Sequence, residues 1–117
     1  MRYCVVLITT PRGGEPESLS RLLLKKNLCA CVNIVRGIQS FFWWKGRIDR
    51  ASEALLVVKT EQRLLTRLIR EVRGAHSYSV CEVLALPVLK GNKPYLDWIS
   101  SSLSGASGGK RRKGQSV

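Results

Sequence analysis

Residues 31–60 contain two long extended segments, CVNIVRGIQSFFWW and RIDRASEALLVVKT, separated only by Lys45-Gly46. Both are rich in β-branched and aromatic residues, and a two-residue spacer is the length of a tight hairpin loop. At about 3.3 Å per residue the first segment spans roughly 46 Å, whereas a compact domain of this size is only about 35 Å across. The hairpin must therefore project beyond its own core. Within it Phe41 and Trp43 face one side and Phe42 and Trp44 the other. Each ring buries about 150–250 Å² when covered, an upper bound of about 4–6 kcal/mol at ~25 cal/mol per Å². Another subunit is the natural source of that cover. A ring of subunits exchanging hairpin edges would also remove strand edges that invite aggregation.

At 117 residues the chain fits one domain, and 44% hydrophobic with 24% charged residues is a globular profile. A chain of this length buries roughly two-thirds of its unfolded surface, so no disulfide or metal is required for folding. Twenty Lys and Arg against eight Asp and Glu give a net charge of +12, which points to anionic partners rather than to a fold. No apolar run approaches the ~18 residues of a membrane span, so membrane insertion is not expected. The short apolar run at 3–8 does not make a signal peptide, and a cytoplasmic location is the expectation. Cys4, Cys29, Cys31 and Cys81 form no Cys-x-x-Cys pair, which excludes the usual zinc-ribbon and thioredoxin-like spacings. Cys29 and Cys31 would share a face if their segment were extended, giving a soft-metal pair as the alternative to buried thiols.

Residues 3–10 (YCVVLITT) read as an interior strand ended by Pro11-Arg12-Gly13-Gly14. A helix follows, with Pro16 near its start, Glu15 and Glu17 at the positive end of its dipole, and Asn27 suited to a left-handed stop. After the hairpin, Leu64, Leu65, Leu68, Ile69 and Val72 predict a helix over 61–73, with Thr60 as N-cap and Gly74 as stop. Residues 80–89 (VCEVLALPVL) read as a strand that Pro87 assigns to an edge or a bulge, and Asn92 caps a last helix carrying Tyr95, Trp98 and Ile99. The order βαββαβ plus a terminal helix defines an α+β domain over 1–103. The remainder, 104–117, is basic and rich in Gly and Ser, and is expected to be disordered. Removing its four basic residues from the total of +12 still leaves +8 on the body.

His76 is the only histidine. With Glu82 and a thiol such as Cys81 it offers a three-ligand set for copper or zinc; the alternative is an interface histidine whose ring bonds a backbone carbonyl. If 80–89 is a strand, Cys81 and Glu82 point to opposite faces and only one can join such a site. Thr9, Thr10, Arg12, Gly13 and Gly14 form a strand-to-helix loop able to meet an anion, but Glu15 and Glu17 oppose phosphate and the Gly-Lys-Ser/Thr of a P-loop is missing. The lone histidine has no evident Ser or Asp partner, so no enzyme is expected. Arg63, Arg67, Arg70 and Arg73 line one side of the second helix, a solvated stripe or a nonspecific polyanion contact. RNA-recognition domains share the βαββαβ order but need stacking aromatics on central strands, which 5–8 and 47–51 lack, so no specific nucleic acid is expected.

Several ordered motifs together resemble the divalent-cation tolerance protein family CutA: Val6-Leu7-Ile8-Thr9-Thr10-Pro11, Leu28-Cys29-Ala30-Cys31-Val32-Asn33-Ile34-Val35, Trp43-Trp44-Lys45-Gly46-Arg47-Ile48, Leu56-Val57-Val58-Lys59-Thr60, His76-Ser77-Tyr78, and Ala85-Leu86-Pro87-Val88 with Tyr95-Leu96-Asp97-Trp98. The resemblance covers 3–103 and implies a ferredoxin-like sandwich in a PII-like homotrimer, with the long hairpin at subunit interfaces. It implies tolerance of copper and other divalent cations without catalysis. It puts His76 and Glu82 at the proposed metal position, and Cys31, Asn33, Trp44, Lys59 and Tyr78 around a cleft between subunits that could take a cation or a small anionic ligand. Lys45 and Ser79 replace acids of the family pattern, Ser77 replaces a proline, and Ile8 a cysteine found in some members. These departures remove negative charge and one soft ligand. The function expected is cation or ligand binding in metal homeostasis, with a scaffold for an unidentified protein partner as the alternative.

Overall fold

The computed structural model describes residues 2–104; the expectation for the basic tail beyond them lies outside the described residues. The elements are β1 (Tyr3–Pro11), α1 (Glu15–Lys25), β2 (Cys31–Trp44), β3 (Arg47–Glu61), a 3₁₀ turn (Gln62–Leu64), α2 (Leu65–Ala75), β4 (Val83–Pro87) and α3 (Lys93–Leu103). One antiparallel sheet in the order β2-β3-β1-β4 gives the ferredoxin-like arrangement. Successive side chains on a strand face opposite sides, and the register sorts them cleanly. Val6 and Ile8 of β1 pair with Val58 and Leu56 of β3, and all four are buried under helix residues Leu19, Leu23, Leu68, Val72, Ile99 and Leu103.

No helix covers the other face of the sheet among the described residues. There Val5 and Leu7 pair with Leu86 and Leu84 on one side and with Lys59 and Val57 on the other, continuing through Leu55 to Val35 of β2. Val35, Leu84 and Leu86 are 45%, 57% and 48% exposed, so this face carries large apolar side chains open to solvent.

β1 supports β3 only from Glu61 to Glu53. Beyond that point β2 and β3 continue as a two-stranded arm, which gives the described residues a long axis of 47 Å. A bulge marks the transition. Val35 pairs with Leu55 and Ile38 with Glu53, so Arg36 and Gly37 together oppose Ala54, and Gly37 takes φ +74°. At the tip Lys45 and Gly46 both have positive φ, 51° and 76°, the geometry of a two-residue type I′ loop.

Three boundaries differ from expectation. β3 runs one residue past Thr60, whose hydroxyl donates to the Leu28 carbonyl (2.7 Å) instead of capping a helix. A 3₁₀ turn therefore intervenes, and α2 passes through Gly74 to Ala75 because Gly74 stays in the helical conformation. β4 covers only Val83–Pro87, not 80–89. Its late start has a cause in a competing bond: the Val88 amide donates to the Tyr3 carbonyl, and two-residue steps along that edge of β1 lead to Thr9, whose carbonyl is taken by the His76 ring (2.7 Å). Asn92 precedes α3 as expected but makes no side-chain cap bond. Asn27 does adopt φ 55°, and the Leu28 amide closes onto the Leu23 carbonyl as the stop of α1.

Candidate functional site

The residues that the sequence assigns to a cleft lie in three places within one chain. Cys31 and Lys59 are direct partners across β2 and β3 on the uncovered sheet face, with Lys59 Nζ 3.9 Å from Cys31 Sγ. Asn33 follows on the same face, opposite Val57, and is exposed. This patch can offer an ammonium, an amide and a polarisable thiol to a ligand. Trp44 is at the far end of β2, roughly 43 Å away at ~3.3 Å per residue, and is 49% exposed. It can meet Cys31, Asn33 and Lys59 only if a second chain brings it there.

Tyr78 belongs to a third place, the corner made by the segment after α2. His76 is buried, and both of its ring nitrogens are engaged. Nδ1 accepts the Tyr78 backbone N–H at 3.0 Å, so the proton sits on Nε2, which donates to the Thr9 carbonyl at 2.7 Å. The Glu15 carboxylate lies 3.4 Å from Nδ1 and accepts from the Ser77 amide at 3.1 Å. Burial pushes the Tyr78 phenol up, and a hydrogen bond to the buried Glu53 carboxylate adds to the shift. The two rings of His76 and Tyr78 are 4.9 Å apart. The ring is thus tied to a backbone carbonyl within the chain, the bonding named as the alternative to a metal ligand.

Glu82 is exposed and Cys81 half-buried, both ahead of β4, so the expectation that they alternate on one strand does not hold. Among the described residues no group of three or more His, Cys, Asp and Glu side chains is placed to hold a metal ion. A cation could reach the His76 ring only by displacing Thr9 or Tyr78, so within one chain these residues do not fit a metal centre. Cys29 and Cys31 also separate. Cys29 lies in the core, where burial pushes its thiol up to about 12, while Cys31 faces the open side of the sheet. The reason is that β2 starts only at Cys31. All four cysteines are free thiols.

One cluster has no counterpart in the sequence reading. Glu61, 1% exposed, accepts from Arg2 Nε (2.7 Å), Arg63 Nε (2.9 Å) and Ser100 Oγ (2.9 Å), and Tyr3 Oη lies 2.6 Å from the same serine oxygen. Burial pushes its carboxyl up, but the three hydrogen bonds outweigh that and hold it below the usual carboxylate range. The cluster fastens the chain start, the end of β3 and α3 together. Apart from Arg63, the groups that bond Glu61 lie 39 or more residues from it, so no local spacing announces the cluster.

A ferredoxin-like α+β domain with one bare sheet face and an overlong hairpin is the class that fold and site define. The family model described as CutA1 divalent ion tolerance protein matches residues 4–102. The divalent-cation tolerance protein CutA of Archaeoglobus fulgidus is 41% identical over 98 residues, covering 84% of this chain and 95% of that protein. The crystal structure of CutA1 from Oryza sativa superposes with a TM-score of 0.84 at 40% identity, covering 87% of this chain and 94% of that one. The chain belongs to the CutA1 divalent ion tolerance protein family. It spans about half the length of the curated plant and mammalian relatives it matches, for example 55% of the Oryza sativa protein at 42% identity.

The relatives correct the expected location. The Oryza sativa and Arabidopsis thaliana proteins are chloroplastic, and the Archaeoglobus fulgidus structure is that of a periplasmic protein, so a cytoplasmic assignment does not stand. That expectation rests on the lack of a long apolar segment and on a run at 3–8 too short for a signal peptide. Among the described residues no helix is long and apolar enough to cross a membrane, which bears on membrane crossing and not on compartment.

Proposed function

We propose that the protein is a non-enzymatic, PII-like homotrimer that takes part in divalent-cation tolerance by binding a cation such as copper, or a small anionic ligand, in clefts between its subunits. The observation that carries this reading is the separation of Trp44 from Cys31, Asn33 and Lys59 by the length of β2. A second chain laid along the bare sheet face would cover Leu84, Leu86 and Val35, and would bring one subunit's arm to the patch of another. In such a cleft Lys59 supplies positive charge, Asn33 a hydrogen-bonding amide and Cys31 a soft donor. Tyr78 closes the rim.

His76 and Glu82 enter as cation ligands on one condition, that binding releases the His76 ring from Thr9 or from Tyr78. Calorimetric titration of copper into the reduced protein, beside His76→Ala and Cys31→Ser, tests both parts. Heat lost in Cys31→Ser but kept in His76→Ala assigns the cation to the cleft; heat lost in His76→Ala alone assigns it to the corner. No heat in the wild type overturns cation binding and leaves the scaffold reading, which predicts a protein partner that stays bound at high salt.

A further inference from the structure

We infer that the outer surface of the helix layer is a docking face for the phosphate backbone of a nucleic-acid duplex, read without regard to base sequence. α1 and α2 pack side by side on the covered face of the sheet, joined by an ion pair between Lys26 Nζ and the Glu71 carboxylate at 2.7 Å. Arg21, Lys25, Arg67, Arg70 and Arg73 stand exposed on these two helices, and none lies within 4 Å of an acid among the described residues. The acids of the same helices are otherwise engaged. Glu15 faces Ser77 and His76, Glu17 bonds Arg36 at 2.9 Å, and Glu71 bonds Lys26. The layer therefore carries five cations outside any ion pair, with Glu71 near Arg67 and Arg70 but bonded to Lys26, a concentration that the net charge alone does not reveal.

The chemistry of the face selects among polyanions. Four of the five cations are guanidinium groups, which meet phosphate oxygens in a bidentate fork better than ammonium does. A membrane surface would be gripped by inserting apolar side chains, but Leu19, Leu23, Leu68 and Val72 are buried against the sheet, and Leu24, 41% exposed, is the one large apolar residue that the outer face shows among the described residues. A single strand would need aromatic platforms for its bases, and α1 and α2 contain no aromatic residue. A duplex needs only cations, because its phosphates are presented outward. The helix layer is on the opposite side of the sheet from the bare face, so an assembly that covers the latter leaves this face free and repeats it in each subunit. The inference does not depend on what the cleft binds.

The test uses the full chain and a fluorescein-labelled DNA duplex of mixed sequence, with anisotropy read at salt concentrations from about 50 to 200 mM. Binding that does not change when the duplex sequence is scrambled is expected, falling steeply with salt. The triple variant Arg67→Gln, Arg70→Gln, Arg73→Gln should bind at least about tenfold more weakly at the lowest salt, with the slope of log K against log salt reduced by about 2.7, or ~0.9 per lost phosphate contact. Lysine at the same three positions should retain most of the binding, which separates charge loss from damage to the helix. Neutralising Lys110, Arg111, Arg112 and Lys113 to Gln measures the tail alone. The inference is overturned if the glutamine variant binds like the wild type, if only the tail variant loses affinity, or if the protein binds vesicles rich in phosphatidylserine but not the duplex.

Discussion

His76 shows how far a single side chain departs from what its chemistry suggests in isolation. A lone histidine near a glutamate and a cysteine invites a metal assignment, yet here the ring is a bracket between the end of β1 and the segment after α2. Replacing it by alanine leaves the Thr9 carbonyl and the Tyr78 amide without partners, so His76→Ala should lose about 1–3 kcal/mol of stability, measured by urea unfolding. Glu61 makes a prediction of a different kind. Its folded pKa lies below its unfolded value, so its contribution is present above the unfolded pKa and is lost as pH falls through the folded one. Unfolding free energy should therefore drop on acidification below the ordinary carboxylate range around 4.5, and Glu61→Gln should flatten that part of the curve. An unchanged acid limb in Glu61→Gln would mean that other carboxylates set the acid stability.

Among the elements, the hairpin was the most legible and the edge strand the least. Alternation, length and a two-residue spacer located β2 to the residue, because a tight hairpin loop fixes its own register. β4 is three residues shorter at its start and two at its end than VCEVLALPVL suggests, because apolar residues flank Glu82 on both sides, whereas the pairing begins only after the point where a side chain, not a strand, claims the Thr9 carbonyl. The Glu61 cluster and the Tyr78 contact with Glu53 were invisible for the same reason: both depend on contacts between remote segments. The arm also contains two positions where the backbone sets the cost. Gly37 has φ +74° with nothing within 4 Å of an added Cβ, so Gly37→Ala should cost about 1–2 kcal/mol from backbone conformation alone. At Lys45, φ 51°, substitution by Asn should gain stability by up to about 1 kcal/mol, since Asn tolerates the left-handed region. Thermal unfolding of the two variants, expected to shift in opposite directions, checks both.

For the whole molecule, the count of uncovered apolar surface outweighs any single contact. Phe41, Trp43 and Ile48 on one side of the arm are 66%, 73% and 67% exposed, and Phe42 and Trp44 extend the bare sheet face on the other. A two-stranded ribbon of this kind is marginal in water on its own. Light scattering should return about three times the 13.1 kDa chain mass at micromolar concentration, and Trp43→Ser with Ile48→Ser should lower it. A monomer mass for the wild type would remove the basis of the shared cleft. The grip of His76 on Thr9 has a further consequence for how such chains meet. Pro11 offers no amide and the Thr9 carbonyl is already occupied, so the ladder at that end of β1 is shut to any incoming strand. β4 presents only five residues ending in a proline, whereas the outer edge of β2 runs fourteen residues without a proline. Recruitment of a foreign strand is thereby channelled to one border of the sheet, and a chain that lost this stopper would gain a second site at which to polymerise.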